Sequence, residues 1–368
     1  MKTHNIKKRR SMLYIPGNNP AMLQQGGVYG ADSVLLDLED AVALNQKDAA
    51  RILVRNMLKE VDYYGCEITI RVNHINTPFG VADLEEIVPL QPDALRLPKT
   101  ETVEELSKVI KIIEEIENRY GLAHDKMKIH VMIESALGVQ NVYELASHSP
   151  RIDAITIGGQ DLTADMQIEK SKDNYGIDYA RKRIVMASKA TKIDAMDTVY
   201  ADVEDEEGLR DETAYIKKLG FTGKAIINPR QISIVNEVFT PTDTEIRKAY
   251  RIVKAYYENK AKDLGVFAVD GKMVDAPVVT RAMHTLALAN IEVDNHGAGY
   301  AKNTSFEVEI SGGGGQGATA WAYTDGQGQL YKIMVTNAGT GYTSAPTVTI
   351  PSFNNDMDES YKSAFSSA

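Results

Sequence analysis

Eight short apolar runs rich in β-branched residues recur along the first 290 residues, separated by amphipathic stretches. The runs are Met12–Ile15, Val34–Leu36, Ile68–Val72, Ala94–Leu97, Ile129–Ile133, Ala154–Ile157, Asp197–Tyr200 and Lys224–Ile227. Each has the length and composition of a buried parallel strand. Between them apolar residues return every three or four positions, most clearly over Gln46–Val61, Val103–Arg119, Val139–Ser147, Asp178–Ala190 and Glu206–Leu219. That is the period of a helix burying one face. Eight such units with short connections predict an α/β fold, a closed TIM (β/α)8 barrel rather than an open doubly wound sheet. A helix over Thr242–Lys262 and the segment to Asn290 come after the eighth strand and are expected to form a helical lid, able to cover the barrel mouth or reach a neighbouring subunit.

Beyond residue 290 the period falls to two. Phe306-Glu307-Val308-Glu309-Ile310 and Thr347-Val348-Thr349-Ile350 alternate as half-buried strands do, between Gly-rich turns. The last 78 residues hold 11 of the 27 Gly, three Lys and no Arg, so composition breaks where the period does. Asn295-His296-Gly297-Ala298-Gly299-Tyr300 and Asn337-Ala338-Gly339-Thr340-Gly341-Tyr342 repeat weakly, which suggests a duplicated β unit. The tetraglycine Gly312–Gly315 reads as a hairpin loop between strands, ahead of a linker. The expected domains are a barrel over 1–240, a lid over 241–290 and a small all-β domain over 291–368.

Composition narrows the function. With 43% hydrophobic and 25% charged residues the chain is an ordinary globular protein. A net charge of −10, with its one basic run at Lys7–Arg10, argues against nucleic acid as a main partner. No apolar stretch approaches the length of a bilayer span, no signal-peptide core follows the basic run, and a cytoplasmic location is the default. The single Cys66 excludes an internal disulfide and a multi-thiolate metal site. The seven His are scattered without a close ligand pair, which argues against zinc.

In a barrel of this kind the chemistry lies at the strand carboxyl ends. There the predicted strands run into Asp37-Leu38-Glu39-Asp40, Arg71 with Asn73, Pro98-Lys99, Glu134-Ser135, Gly158-Gly159-Gln160-Asp161 and Asn228-Pro229-Arg230. Carboxylates thus converge with Arg and Lys around one mouth, an oxygen-rich setting suited to a hard cation, with Mg²⁺ the natural candidate. Each residue also has a plainer explanation. Glu39 and Asp40 sit ahead of a helix starting near Asn45, where acids favour its positive end; Arg71 and Lys99 have solvated readings; Asp161 is equally a helix cap. Glu134 ends a very apolar strand, where an unpaired carboxylate is costly, so a metal or cationic partner is favoured.

Ser11–Pro20, Tyr29–Asp32, Asp37–Val42, Arg71–Asn73, Arg96–Glu101 and Gly158–Met166, taken together, closely resemble the bacterial citrate lyase β-subunit family. That family sits among the Mg²⁺-dependent acyl-thioester lyases of the HpcH/HpaI aldolase-like superfamily, with malyl-CoA and citramalyl-CoA lyases. The resemblance covers about residues 8–290 and leaves the tail outside, where only a weak likeness to phage-type β repeats remains. It implies cleavage of a citryl thioester, carried on acyl carrier protein or CoA, to oxaloacetate and an acetyl thioester. It also implies other citrate lyase subunits as partners and a homo-oligomer, a trimer or hexamer.

Carried across residue by residue, the resemblance implies Glu134 and Asp161 as Mg²⁺ ligands and Arg71 as the group that holds the oxo-acid carboxylate and thioester oxygen. Gly138 and Gly159 would let a carboxylate approach backbone N–H groups, with Asn73 also at the substrate, while Asp37, Glu39 and Lys99 line the mouth. Gly271–Pro277 matches a C-terminal lid segment whose aspartate completes the site, which points to Asp275 as proton shuttle, with Asp270 and Glu39 as second choices. Gln160 departs from the family, where an acid is expected. Two other functions stay open: a malyl-CoA or citramalyl-CoA lyase, and a structural or assembly protein acting through the β tail. Retention of Arg71, Glu134 and Asp161 together argues against the second.

Overall fold

The computed structural model describes residues 8–169, 174–260, 267–269, 271–288, 290–291, 300, 304–324, 328–341 and 346–350. They fall into two compact units, one spanning Lys8–Phe239 and the other running from Thr240 onward.

The first unit is a closed barrel of eight parallel strands in sequential order, β1 (Ser11–Pro16), β2 (Ser33–Asp37), β3 (Glu67–Arg71), β4 (Ala94–Leu97), β5 (Lys128–Ile133), β6 (Ile152–Ile157), β7 (Asp194–Asp197) and β8 (Gly223–Ile226), with β8 pairing back onto β1. Among the described residues ten α-helices lie between and after the strands: α1 (Pro20–Gln25), α2 (Lys47–Glu60), α3 (Gly80–Ile87), α4 (Val103–Tyr120), α5 (Ala136–Gln140), α6 (Val142–Ser147), α7 (Gly159–Asp165), α8 (Asp178–Thr191), α9 (Glu206–Leu219) and α10 (Gln231–Phe239). The core lies between strand and helix layers, where Val34, Leu36, Ile70 and Leu95 on the strands meet Leu84, Leu106, Ile113 and Ile184 on the helices, all essentially inaccessible. Helix boundaries follow local chemistry: Thr102 caps α4 through its hydroxyl, and Gly121 ends it at φ +66°, a left-handed position that suits glycine.

Two sequence expectations need correction here. The seventh strand is Asp194–Asp197, not Asp197–Tyr200, because Ala154, Ile155 and Thr156 of β6 register with Asp194, Ala195 and Met196. The local apolar pattern misleads because Asp197 is fully buried and neutralised by Arg181 and Lys224 at 2.8 and 2.9 Å. The helix expected over Val139–Ser147 is two pieces, α5 and α6, separated at Asn141, whose side chain donates to the Glu101 carbonyl.

In the second unit α11 (Asp243–Lys260) packs on α12 (Ala276–Leu288) through Ile246, Ala249, Val253, Val279, Ala282 and Leu286. A hairpin of β9 (Phe267–Val269) and β10 (Lys272–Val274) precedes α12. A five-stranded sheet follows, from β11 (Asn290–Ile291), β12 (Ser305–Ser311), β13 (Gln316–Thr324), β14 (Leu330–Thr340) and β15 (Thr347–Thr349). Gly312–Gly315 is the β12–β13 hairpin loop, as the sequence pattern indicates. Of the weak repeat, Asn337–Thr340 ends β14, whereas Asn295–Gly299 lies outside the described residues. Tyr323 packs against the α11–α12 cluster, and the expected 290/291 boundary falls within β11.

Candidate active site

The carboxyl ends of the strands surround a cavity of about 390 Å³ whose lining includes Tyr14, Asp37, Arg71, Glu134, Gly158, Gly159 and Asp161. β2 and β3 bring Asp37 and Arg71 into register, and the pair is bidentate: Nε to Oδ1 at 2.7 Å and Nη2 to Oδ2 at 2.6 Å. Asp37 also accepts the backbone N–H groups of Glu39 and Ala41, so it shapes its own loop. The solvated reading of Arg71 therefore fails: the guanidinium is buried and also meets Glu39 Oε2 at 3.0 Å. Two of its five N–H groups are thereby donated to Asp37, while Nη1 stands in ion pairs with Glu39 and, at 4.0 Å, with Asp40.

Glu39 is buried between Arg71 and Lys99, whose Nζ donates to Oε1 at 2.6 Å. It is not a helix-end acid. Burial pushes its carboxyl up, against the pull of Arg71 and Lys99. For Lys99 burial works the other way, but Glu39 and Asp40 outweigh it and hold the ammonium well above its ordinary range. Lys99 sits at φ +49°, in the left-handed region, and its backbone N–H donates to Glu134 Oε2 at 2.7 Å.

Glu134 is 3% exposed, and its Oε1 has no partner among the described residues. Burial raises the carboxyl to about 8, with the Lys99 N–H and Arg71 opposing and the nearby Asp161 and Glu39 adding to the rise. Such a buried, half-satisfied carboxylate is costly unless a cation completes it. Gly158 leaves the room: a Cβ there would stand 2.4 Å from Glu134 Oε1. Asp161 lies in the first turn of α7, which is capped by Gly158 and not by Asp161, and its carboxylate has no hydrogen-bond or close ion-pair partner among the described residues, though it helps raise Lys99. Two open carboxylates on adjacent strand ends form an oxygen donor set that fits Mg²⁺, with waters or substrate completing the shell.

Three expected substrate contacts make hydrogen bonds within the chain, Gly159 among them although it lines the cavity. Asn73 is buried away from the cavity, donating to the Leu38 carbonyl at 2.9 Å and to Asp83 at 2.7 Å, so it braces the β2 and β3 loops. The Gly138 N–H donates to Ser135 Oγ at 3.1 Å and the Gly159 N–H to Thr198 Oγ1 at 3.0 Å, so both amides are engaged within the chain. Their smallness serves packing: Cβ atoms would stand 3.0 Å from the Thr100 carbonyl and 2.9 Å from Thr198 Oγ1. Asp275 belongs to the second unit, where its Oδ1 accepts the Val278 N–H at 3.1 Å at the start of α12. Asp270 lies outside the described residues.

Among the described residues one other acidic group has metal-ligand spacing: Glu67, His130 and Asp153. It lies at the opposite, amino end of the barrel and already holds a cation, because the Arg9 guanidinium meets Glu67 at 2.7 Å, Asp153 at 2.5 Å and Asp194 at 2.8 Å. The sequence pattern does not single out Tyr14 and Arg96 as site residues: Tyr14 lines the cavity and accepts from Arg96 Nη1 at 2.8 Å. The one available signal was an arginine inside the otherwise apolar Ala94-Leu95-Arg96-Leu97.

Residues 10–229 match the family model described as HpcH/HpaI aldolase/citrate lyase. The citrate lyase subunit beta of Leuconostoc mesenteroides subsp. cremoris is 43% identical over 296 residues, 80% of this chain and 98% of that one. The mitochondrial citramalyl-CoA lyase of Rattus norvegicus is 32% identical over 305 residues, 78% of this chain and 88% of that one. Among solved structures, a citrate lyase beta subunit of M. tuberculosis complexed with oxaloacetate and magnesium is 25% identical, with a TM-score of 0.55, over 65% of this chain and all of that one. No helix among the described residues is long and apolar enough to cross a membrane. A parallel barrel with its acidic mouth and matching sequence over most of its length places the chain in the HpcH/HpaI aldolase/citrate lyase family.

Proposed function

We propose that the protein is a Mg²⁺-dependent carbon–carbon lyase that splits a citryl thioester, carried on an acyl carrier protein, into oxaloacetate and an acetyl thioester. The observation that carries this reading is the unpartnered Oε1 of buried Glu134 facing a cavity that also holds Asp161 and Arg71. Similarity to citrate lyase beta subunits exceeds that to citramalyl-CoA lyases, 43% against 32% identity, and favours the citryl substrate.

Glu134 and Asp161 would hold the ion. When bound, Mg²⁺ acidifies the substrate hydroxyl and stabilises the forming ketone as a Lewis acid. Cleavage leaves negative charge on the departing acetyl thioester as an enolate, and the N–H groups of Arg71 not donated to Asp37 supply donors for it. Asp37 and Glu39 fix the guanidinium plane in advance, so no reorganisation is needed as charge develops. Asp275 is the proposed acceptor of the hydroxyl proton, and Glu39, whose carboxyl burial already pushes up, is the second choice. Other citrate lyase subunits are the proposed partners, and a homo-oligomer the proposed state.

The test is oxaloacetate release from citryl thioesters, followed through a coupled dehydrogenase, with Mg²⁺ and again with excess chelator. Chelator-sensitive release is expected, faster with the carrier-bound substrate. Release from citramalyl-CoA or malyl-CoA alone would move the assignment to those lyases.

A further inference from the structure

Beneath the mouth the barrel holds a cation that the reaction described above leaves unused. Arg96, on β4, is 0% exposed, and among the described residues it makes no ion pair. Its Nη1 donates to the Tyr14 hydroxyl at 2.8 Å, its Nη2 reaches His130 Nδ1 at 3.3 Å, and its Nε has no partner. Arginine has only donors, so His130 Nδ1 is the acceptor and the ring is neutral, with Nε2 lying 3.1 Å from Asp153 Oδ1. A guanidinium does not shed its proton, and a buried cation without a counter-ion is costly, so the fold maintains positive charge at this point.

That charge reaches the cavity through Tyr14. The Tyr14 ring centroid lies 5.9 Å from Arg96 and 5.4 Å from Arg71, and the residue lines the mouth. Its oxygen accepts from Arg96, and no described group takes its phenolic proton. A hydroxyl that accepts from a cation is a stronger donor for it. The other cations at the mouth are engaged, Arg71 by Asp37 and Glu39 and Lys99 by Glu39 and Asp40.

The substrate class supplies the matching demand. The oxo-acid half of a citryl group carries two carboxylates: one beside the hydroxyl, within reach of the metal ligands, and one on a CH2 arm. We propose that the Tyr14 hydroxyl, backed by Arg96, receives the arm carboxylate and so distinguishes a citryl group from a citramalyl group, which has a methyl in place of the whole carboxymethyl arm. This inference rests on the citryl-thioester reading.

The full-length chain with Mg²⁺ tests it. Wild type is expected to favour citryl over citramalyl thioester on the same carrier by at least about tenfold in kcat/KM. Tyr14→Phe keeps the ring and removes the oxygen, and should lower that ratio by about ten- to a hundredfold, mostly through KM. Calorimetry provides a readout without turnover: Mg²⁺-supported binding of oxaloacetate should weaken in Tyr14→Phe, while pyruvate, which lacks the arm carboxylate, changes less than about threefold. An unselective wild type overturns the proposal, as does an unchanged ratio. Equal losses on both substrates, or for both oxo-acids, also overturn it and mark Tyr14 as a support for Arg71. A wild type that cleaves neither thioester defeats the citryl reading separately, and the oxaloacetate and pyruvate titrations still decide the role of Tyr14.

Discussion

The backbone N–H of Lys99 holds one oxygen of Glu134 at 2.7 Å and leaves the other with no partner among the described residues. One lone pair is thus pinned by a peptide held at φ +49°, and the free oxygen is left for an external cation. The same lysine reaches Glu39 through Nζ at 2.6 Å, so one residue joins the two acidic loops of the mouth.

Magnesium affinity should therefore depend on pH through Glu134. Burial lifts this carboxyl to about 8, and the ion binds only its ionised form, so binding releases a proton. Apparent affinity should rise by up to about tenfold per pH unit from 6 to 8 and level off above. In the metal-free protein the folded state binds this proton more tightly than the unfolded chain. Its contribution therefore lowers stability as pH rises from the ordinary value of 4.5 to about 8. Stabilisation by Mg²⁺ should accordingly be larger at pH 8 than at pH 6. Calorimetric titration in buffers of different ionisation enthalpy, with thermal melts, checks both trends.

Gly158→Ala should uncouple fold from metal. The position has φ −94°, outside the left-handed region, so alanine meets no positive-φ strain there. The added Cβ would stand 2.4 Å from Glu134 Oε1, however, and the carboxylate must move. Mg²⁺ affinity should fall by at least about tenfold, with a stability loss of about 1–3 kcal/mol. An unchanged titration would mean that Glu134 Oε1 is not a ligand atom.

How far the sequence foretells this arrangement depends on how local the cause is. Strands such as Ala94–Leu97 are legible because their own side chains bury them, and residues following them fall at the mouth by the geometry of the fold. Asp37, Arg71, Lys99, Glu134 and Asp161 are found that way. β7 is not, because Asp197 is neutralised by Arg181 and Lys224, 16 and 27 residues away, beyond any local window. Asn73 and Gly159 stand at legible positions, but their roles depend on acceptors 10 and 39 residues away, Asp83 and Thr198, while the Gly138 N–H serves the local N-cap Ser135 of α5. Tyr14 and Arg96 are mid-strand residues, and only closure of β1 onto the sheet brings one to the other.

At the amino end of the barrel Arg9 should act as a structural plug. It is 3% exposed and neutralises Glu67, Asp153 and Asp194 from three different strands. Arg9→Met should cost about 3–5 kcal/mol, since buried carboxylates would lose their partner. Acid should also weaken the wild type at this end. Burial holds His130 below its ordinary value of 6.5, and for Asp153 the pull of His130 and Arg9 overcomes burial to hold it below 3.8. For both groups the unfolded chain takes up protons first, so stability falls as pH drops below about 6.5 and again below about 4. Urea denaturation from about pH 2 to 8 measures both effects, in a Glu134→Gln background because Glu134 runs the opposite way between 4.5 and about 8; a stability flat across the range in that background would exclude them.

Asp275→Asn separates the proposed proton shuttle from a purely structural acid. Asp275 Oδ1 accepts the Val278 N–H at 3.1 Å at the start of α12, and asparagine caps as well as aspartate, so stability should change by less than about 0.5 kcal/mol. Removing a general base typically costs about 10²- to 10⁴-fold, and turnover should fall within that range while Mg²⁺ affinity holds. Asp275→Ala would lose both cap and base, and so should fall in stability by about 1 kcal/mol as well. Near-normal turnover in Asp275→Asn would remove the shuttle role and pass it to Glu39. Glu39→Gln would then be expected to lose the activity while keeping an acceptor oxygen for only one of Arg71 and Lys99.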